Sequence, residues 1–311
     1  LISGVLPVKN GSALITGNLP RMLESLGHDD ELIVVDDNSI DDTYKALENF
    51  QIMDPRIRLL TNKGEGLVSA LNLGFRESRG EWIARFDIDD KYLPNRLEYQ
   101  RMFFAENVSA IFSDYRVVSD AGSALGTIRS PIYPANTKLS LIHSQRTSHP
   151  SAIINKSAFL DVGGYRSSDF PAEDLSLWLR LSNNSEIVSV GETLMEYVVS
   201  KKSTSNVMRH LVNQKRIELI RSRNPDFFLN DSFFDFDYML YLYERNSFST
   251  ERLLLSLYDL THPWVRRSFS NAEKLIVQRL FLHTVGCQDG LGTLYRLISN
   301  RIRRRVWRLC G

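Results

Sequence analysis

From Leu1 to Phe86, short apolar runs alternate with segments whose apolar residues recur at helical spacing, and this alternation restricts the fold more than any other feature. The spacing predicts strands at Leu1–Val8, Glu31–Val35, Arg56–Thr61 and Glu81–Phe86. It predicts helices at Leu14–Leu26, from Asp41-Asp42-Thr43 onward, and at Gly66–Ser78. The run Glu31 to Val35 is nearly continuous in apolar residues, as a strand buried on both faces requires. Asp41, Asp42 and Thr43 place acidic and capping groups where the positive end of a helix dipole falls. Repeated βα units of this length build a mostly parallel sheet with right-handed crossovers. Ligands of such sheets sit beyond the carboxyl ends of the strands, and two acidic clusters of this chain fall there.

At 311 residues the chain has room for one large α/β domain, or for a domain of about 200 residues with an appendage. The pattern continues with a helix over Pro94–Phe104, strands near Ala110–Phe112 and Ser151–Ile154, a helix over Leu175–Leu181 and a strand over Thr193–Val199. From about Ser205 it changes to aromatic-rich helices, so the division expected is 1–204 for the α/β domain and 205–311 for a helical region. Thirty-eight basic residues against 37 acidic ones leave a net charge of +1, which offers no global field for nucleic acid. Cys287 and Cys310 support neither a disulfide framework nor a Cys-rich metal site, and a reducing, cytoplasmic compartment fits. No apolar run approaches the ~20 residues of a membrane span, and the first residues lack a secretory signal pattern.

Three constellations could carry chemistry. In Val35-Asp36-Asp37-Asn38-Ser39, two adjacent carboxylates at the end of a buried strand repel unless a ligand, a cation or amide donors compensate. A carboxylate there can accept from the imide nitrogen of a uracil ring; a polar turn capping the next helix is the equal alternative. In Phe86-Asp87-Ile88-Asp89-Asp90, the two outer positions of Asp-x-Asp share one side of an extended segment. Both could face one hard divalent cation, which selects oxygen ligands and stabilises a departing diphosphate; a solvated acidic turn is the weaker reading. In Ala172-Glu173-Asp174-Leu175-Ser176-Leu177-Trp178-Leu179-Arg180, the carboxylates either compensate a helix dipole or remove a proton from an acceptor hydroxyl. On that segment alone the capping role is the stronger reading. Trp178 suits core packing or an acceptor platform.

A resemblance joins these pieces. Pro7-Val8-Lys9-Asn10, Val35-Asp36-Asp37-Asn38-Ser39 with Asp42-Thr43, Asn62-Lys63-Gly64, Ala70-Leu71-Asn72-x-Gly74, Gly80-Glu81-Trp82-Ile83-Ala84-Arg85-x-Asp87-x-Asp89-Asp90, Pro94-x-Arg96-Leu97, His149-Pro150-Ser151, Gly163-Gly164-Tyr165 and the Glu173-Asp174 segment stand in the order of the family 2 glycosyltransferases. The chain most resembles bacterial members that build O-antigens, capsules and other surface polysaccharides. The resemblance implies a GT-A fold (a Rossmann-like, mostly parallel sheet) and inverting transfer of one sugar from a nucleotide-sugar, UDP-linked, to an acceptor hydroxyl. It implies a divalent cofactor, Mn²⁺ or Mg²⁺, with Asp89 as metal ligand. Pro7, Val8, Asp37, Asn62, Arg85, Asp87 and Asp90 are then donor-binding residues, and Asp174 the general base. Glu173, Trp178 and His149 stand on the acceptor or supporting side. Lys9-Asn10-Gly11 departs from the family's Tyr-Asn-acidic pattern, and Tyr197-Val198-Val199 lacks its Tyr-Arg. The Gln-x-x-Arg-Trp element of processive relatives is absent after Arg180, which favours one sugar per encounter.

Beyond residue 205, Phe227, Phe228, Phe233, Phe234, Phe236, Tyr238, Tyr241 and Tyr243 read as core packing of a helical subdomain, and His210 and His262 as structural. Leu294, Ile298, Ile302 and Val306 form an apolar stripe with Arg296, Arg301, Arg303, Arg304 and Arg308 mostly off it. Such a basic amphipathic helix suits an anionic membrane surface, which would place the enzyme peripherally on the inner face of the cytoplasmic membrane beside a polyprenyl-diphosphate-linked glycan acceptor. Packing on its own domain or in a homo-oligomer explains it equally. Two rival functions remain: a sugar-nucleotide pyrophosphorylase, which would need a better Gly-rich phosphate loop than Pro7 to Gly11, and a degenerate relative that binds nucleotide or partners without catalysis.

Overall fold

The computed structural model describes residues 1–132, 134, 137, 140–141, 146–200, 203 and 207–223. The expectations for 224–311, the aromatic-rich segment and the basic terminal helix among them, lie outside the described residues. Strands β1 (Ile2–Val8), β2 (Glu31–Asp36), β3 (Ile57–Thr61) and β4 (Trp82–Arg85) alternate with helices α1 (Ser12–Ser25), α2 (Thr43–Met53) and α3 (Leu67–Glu77). They assemble in the order β3-β2-β1-β4, every pair parallel. Chain order therefore reverses direction across β1, so the crevice expected of such a sheet opens at the carboxyl ends of β1 and β4. Every residue of β1, β2 and β4 is buried, which is why their sequences are mostly apolar, with Ser3, Glu31, Asp36 and Arg85 as the buried polar exceptions.

Beyond β4 the sheet is mixed. β5 (Lys91–Tyr92), β6 (Val108–Ser119), β7 (Ala124–Ile128), β8 (Ile153–Asn155) and β9 (Glu186–Val199) follow, with α4 (Arg96–Arg101), α5 (Lys156–Asp161) and α6 (Glu173–Leu181) between them. β8 pairs antiparallel to β4 and β6, while β6 and β9 run parallel and β5 closes the edge against β9. β6 is longer than its apolar pattern announces. Ser109, Ser113 and Asp114 interrupt that pattern yet are buried; Ser109 Oγ donates to the Glu186 carbonyl and the Ser130 amide donates to Asp114, while the Ser113 hydroxyl has no partner among the described residues. β7 was invisible to pattern reading because its side chains are exposed. A last helix, α7 (Arg209–Arg223), buries Leu219 and Ile220. No helix among the described residues is long and apolar enough to cross a membrane.

The amino ends of the strands are tied by a buried carboxylate. Glu31 accepts from Ser3 Oγ at 2.7 Å, the Arg79 amide at 2.7 Å and Arg58 Nη1 at 2.9 Å. Burial works to raise its pKa, but these donors together hold it below the usual glutamate value. With this end fixed, the carboxyl ends are free to carry loops.

Gly74 sets how closely α3 approaches the sheet: a Cβ there would lie 2.5 Å from a Val5 methyl and 3.2 Å from one of Val35. Gly74→Ala should therefore destabilise the protein by about 1–3 kcal/mol, the usual cost of forcing a methyl into a filled interface. A lowered urea midpoint is the expected result; an unchanged midpoint would mean that α3 and β1 have room to part.

Candidate active site

One cavity of about 680 Å³ lies at the carboxyl edge of β1, β2 and β4 and extends to the start of α6. Pro7, Val8, Asp37, Arg85, Asp87, Asp89, Asp90, His149, Glu173 and Asp174 all line it. Residues as far apart in the sequence as Pro7 and Asp174 are thus brought to one space.

At one end, Pro7 and Val8 from β1 face Leu67 and Ala70 from α3, with Lys9, Asp37 and Gly66 as polar neighbours. Asp37 Oδ1 accepts from Asn62 Nδ2 at 2.6 Å and from the Gly66 amide at 3.2 Å, while Oδ2 pairs with Lys9 Nζ at 3.2 Å. Gly66 donates that amide from φ +90°, a left-handed conformation that favours glycine. Asp36 turns away and its Oδ2 accepts the Ser39 amide at 3.2 Å. The two adjacent carboxylates thus divide the roles that the sequence left open: Asp36 holds the turn and Asp37 faces the cavity. Asn62 is not among the residues that line the cavity. It stands behind Asp37 and is itself fixed by Ser69 Oγ at 3.0 Å.

The Asp-x-Asp segment corrects another expectation. It is a turn, not an extended strand: the Asp90 amide donates to the Asp87 carbonyl at 3.3 Å, and the chain reverses into β5. The turn gathers a ligand oxygen from each of Asp87, Asp89 and Asp90 within 4.8 Å of one another, a third carboxylate that extended geometry would have directed elsewhere. Burial, then the charge of Asp87, pushes Asp89 up to about 6; burial and both neighbours push Asp90 well above the usual range. Asp90 Oδ1 accepts the Val198 amide at 2.9 Å, whereas its buried Oδ2 has no partner among the described residues. An oxygen-only set of crowded carboxylates with an orphaned buried oxygen fits a hard divalent cation, whose charge would reverse the repulsion.

Arg85 lies beneath this turn with a side chain only 2% exposed. Its Nη2 pairs with Asp87 Oδ1 at 2.7 Å and Nη1 donates to the Phe86 carbonyl. Behind it, Arg96 donates to the Arg85 carbonyl at 3.0 Å and lies 4.7 Å from the ring centroids of both Phe86 and Tyr92. Burial brings Arg96 down to about 10, so it stays charged at neutral pH.

The opposite end belongs to α6, whose first residues are Glu173 and Asp174. The residue before them is Ala172, which makes no side-chain cap. Burial, then the charge of Asp174, raises Glu173 to about 7, and burial raises Asp174 as well. A carboxylate poised nearer neutrality is a better proton acceptor for a hydroxyl than an ordinary aspartate. Glu173 Oε2 is buried without a partner among the described residues. His149 Nε2 lies 2.7 Å from Tyr165 Oη, and burial followed by the charge of Arg85 keeps the ring neutral. Trp178 is fully buried, edge-on to Phe112 at 4.9 Å and to His149 at 5.8 Å. Of its two readings, packing beneath the site prevails over an acceptor platform.

In the sequence Tyr165 stands out only as the last residue of a Gly-Gly-Tyr element. Its placement depends on Asn72, whose side chain donates to the Tyr165 carbonyl at 2.9 Å and accepts its amide at 3.0 Å across 93 positions. Tyr197, at the position of the family's Tyr-Arg element, also lines the cavity, as do Tyr115, Ser203 and Val212, which no local motif signals.

This crevice brings a carboxylate cluster of the kind a divalent cation selects and a second acidic pair to the carboxyl end of an α/β sheet. Residues 3–163, just over half of the chain, match the model of glycosyl transferase family 2, and the chain belongs to that family. Among curated proteins it is 28% identical over 228 residues to "UDP-Glc:alpha-D-GlcNAc-diphosphoundecaprenol beta-1,3-glucosyltransferase WfgD" of Escherichia coli, covering 69% of this chain and 83% of that one. It is 27% identical to "O-antigen biosynthesis glycosyltransferase WbnJ" of the same organism, covering 66% and 82%. A similar match to an uncharacterized glycosyltransferase of Rickettsia bellii, 27% identical over 66% of this chain, spans only 29% of that longer protein. Among solved structures, S. aureus TarS in complex with UDP-GlcNAc superposes with a TM-score of 0.59 at 16% identity, covering 83% of this chain and 80% of that one. Mannosyltransferase PcManGT from Pyrobaculum calidifontis, in complex with GDP-Man and Mn²⁺, gives 0.55 at 15% identity, covering 89% and 78%. The fold is GT-A.

If the three-carboxylate turn is a cation site, Asp89→Ala should weaken Mn²⁺ binding about tenfold or more, judged against what the loss of even an outer partner costs. Titration of free Mn²⁺ by electron paramagnetic resonance measures this directly, and an unaltered affinity would place the cation elsewhere.

Proposed function

We propose that this protein is an inverting, metal-dependent glycosyltransferase that moves one hexosyl or N-acetylhexosaminyl unit from a UDP-sugar to a hydroxyl of a lipid-linked bacterial glycan. The observation that carries this reading is the shared cavity: the Asp87-Asp89-Asp90 turn at one end and the Glu173-Asp174 pair at the other. A single displacement needs just this separation, with the leaving group and the base on opposite sides of the reacting carbon.

The residues divide the work as follows. Pro7, Val8, Leu67 and Ala70 offer an apolar slot for a flat base, and Asp37, oriented by Asn62, offers an acceptor at its edge. Uracil matches through its imide N–H. UDP-GlcNAc in the TarS complex and UDP-Glc in the WfgD name support a uridine donor, while GDP-Man in the PcManGT complex shows that the fold accommodates another base. Asp87, Asp89 and Asp90 would hold a divalent cation, Mn²⁺ or Mg²⁺, which when bound supplies positive charge to the departing diphosphate. Asp174 accepts the proton of the acceptor hydroxyl as its oxygen bonds to the anomeric carbon. The bond to the nucleoside diphosphate breaks on the opposite face, the configuration inverts, and the proton remains on Asp174. Burial around Glu173, Trp178 and His149 excludes water that would compete as acceptor.

The acceptor proposed, a glycan on polyprenyl diphosphate, draws on the diphosphoundecaprenol substrate in the WfgD name, and it sets the place of action at the inner face of the cytoplasmic membrane.

Calorimetry with UDP, GDP, dTDP and CDP, in Mn²⁺ and then in EDTA, tests the donor. Metal-dependent selection of UDP is expected, and selection of GDP would reassign the sugar class. Asp174→Asn should leave that binding nearly intact while lowering transfer by about two to four orders of magnitude. The same base should place the acidic limb of the rate profile above the ordinary carboxylate range, because Glu173 and Asp174 are both raised and the base acts only when ionised. Turnover of Asp174→Asn at the wild-type rate would remove this residue from the mechanism.

A further inference from the structure

Two tyrosines on neighbouring strands line the cavity on the side away from β1. Tyr115 on β6 and Tyr197 on β9 are both partly exposed, and their rings stand at 63° to each other with centroids 5.9 Å apart. The amide of Val198, the next residue of β9, donates to Asp90 at 2.9 Å, so the pair adjoins the acidic turn. Thr147 and Ser148 line the same cavity. Their hydroxyls are buried and have no hydrogen-bond partner among the described residues. His149 follows them and meets Trp178 of α6 at 5.8 Å, so this segment adjoins the helix that carries Glu173 and Asp174.

We propose that Tyr115 and Tyr197, with Thr147 and Ser148, form the subsite for the acceptor's terminal sugar: a pyranose ring lays its C–H face on the tyrosines and exchanges hydrogen bonds with Thr147 and Ser148. The proposal rests on the reading of the protein as a glycosyltransferase and names the part of the cavity that takes the acceptor.

A pyranose has one kind of surface for each of these walls. Its C–H bonds make an apolar face that suits the electron-rich face of an aromatic ring, and its hydroxyls need partners once water is excluded. A buried hydroxyl without a partner costs stability, and two adjacent ones at a cavity wall gain from a ligand the bonds that folding does not give them. Trp178, the aromatic platform that the sequence offered, is fully buried and has no face to present. Position separates this subsite from the base slot. The sheet order places β6 and β9 across β4 from β1, so the acidic turn that follows β4 stands between Pro7-Val8 and the two tyrosines. A sugar seated against the tyrosines has that turn on one flank and the Glu173-Asp174 pair on the other, the arrangement that a single displacement requires of an acceptor.

Saturation-transfer NMR with the methyl glycosides of glucose, galactose, mannose, N-acetylglucosamine and N-acetylgalactosamine reads the subsite directly, with UDP and Mn²⁺ present and again without them. Transfer to the ring protons of at least one glycoside is expected in the wild-type protein. Tyr115→Ala and Tyr197→Ala should each weaken that binding about tenfold or more, as truncation of an aromatic anchor does. Tyr115→Phe and Tyr197→Phe, which keep the rings, should restore it. Thr147→Val and Ser148→Ala should weaken it without lowering the melting temperature, because each removes a hydroxyl that folding leaves unpaired; they also carry the test should an alanine variant fail to fold. UDP affinity should stay at the wild-type value throughout. No transfer to any glycoside, or binding untouched by the tyrosine and hydroxyl variants, would overturn the proposal. So would displacement of the glycoside by UDP-GlcNAc or UDP-Glc but not by UDP, which would give the subsite to the donor's sugar. Failure of the transferase reading shows separately as absent nucleotide binding, while the glycoside measurements without UDP still report on these four residues.

Discussion

The ion pair between Arg85 and Asp87 sits where the sheet ends and the chemistry begins. Like charges confined to a small, partly dry volume repel strongly, and folding alone supplies no reason for three carboxylates to share one turn. The turn is nevertheless well held: Tyr92 Oη accepts the Asp87 amide at 2.7 Å, the Val198 amide donates to Asp90, and Arg85 lies below. Each support comes from a different element, so β4, β5 and β9 must all be in place before the acidic turn can form. The arrangement costs stability through its own repulsion, a cost that a cation proposed at this turn would offset, a trade common at functional sites.

The cavity also divides by the kind of structure that builds each end. One end stands on strand ends and the start of α3, tied from below by the Glu31 network and drawn tight by Gly74. The other is assembled from the segment around His149, the loop before α6, and residues Ser203 and Val212. On the proposed assignment the first end would take the donor, where precise orientation of the leaving group is worth several orders of magnitude in rate. The second would take the acceptor, and loops there tolerate variation without disturbing the sheet.

Much of this was legible in the sequence, for a physical reason. Strands buried on both faces write continuous apolar runs, so β1, β2 and β4 and their acidic ends could be located from composition along the chain. Elements whose burial depends on distant partners could not. Ser109 and Asp114 look like a break in β6 until the hydrogen-bonding groups that satisfy them arrive from residues 130 and 186. Asn62 carries no mark that its purpose is to orient Asp37, and Asn72 none that it clamps Tyr165. The turn at Asp87 to Asp90 shows the same limit at short range: the residue types announced a cation site, while the geometry depended on β5 pairing with β9.

Departures from the family pattern acquire physical content in the same way. Lys9 stands where relatives carry a tyrosine, and it supplies Asp37 with a counter-charge at 3.2 Å. Half-exposed and screened by water, that pair contributes little to stability. On the proposed assignment its effect would fall instead on the edge of the base slot, where a carboxylate acceptor and an ammonium donor stand side by side. Any nucleobase edge with adjacent donor and acceptor atoms could pair with such a combination, so Lys9 and Asp37 would favour a hydrogen-bonding base without choosing among bases. The choice would then come from shape, from the room left by Pro7, Val8, Leu67 and Ala70. Polar groups thus hold the ligand's edge while the apolar walls decide which ring can enter, the division of labour expected of a concave site with few polar contacts.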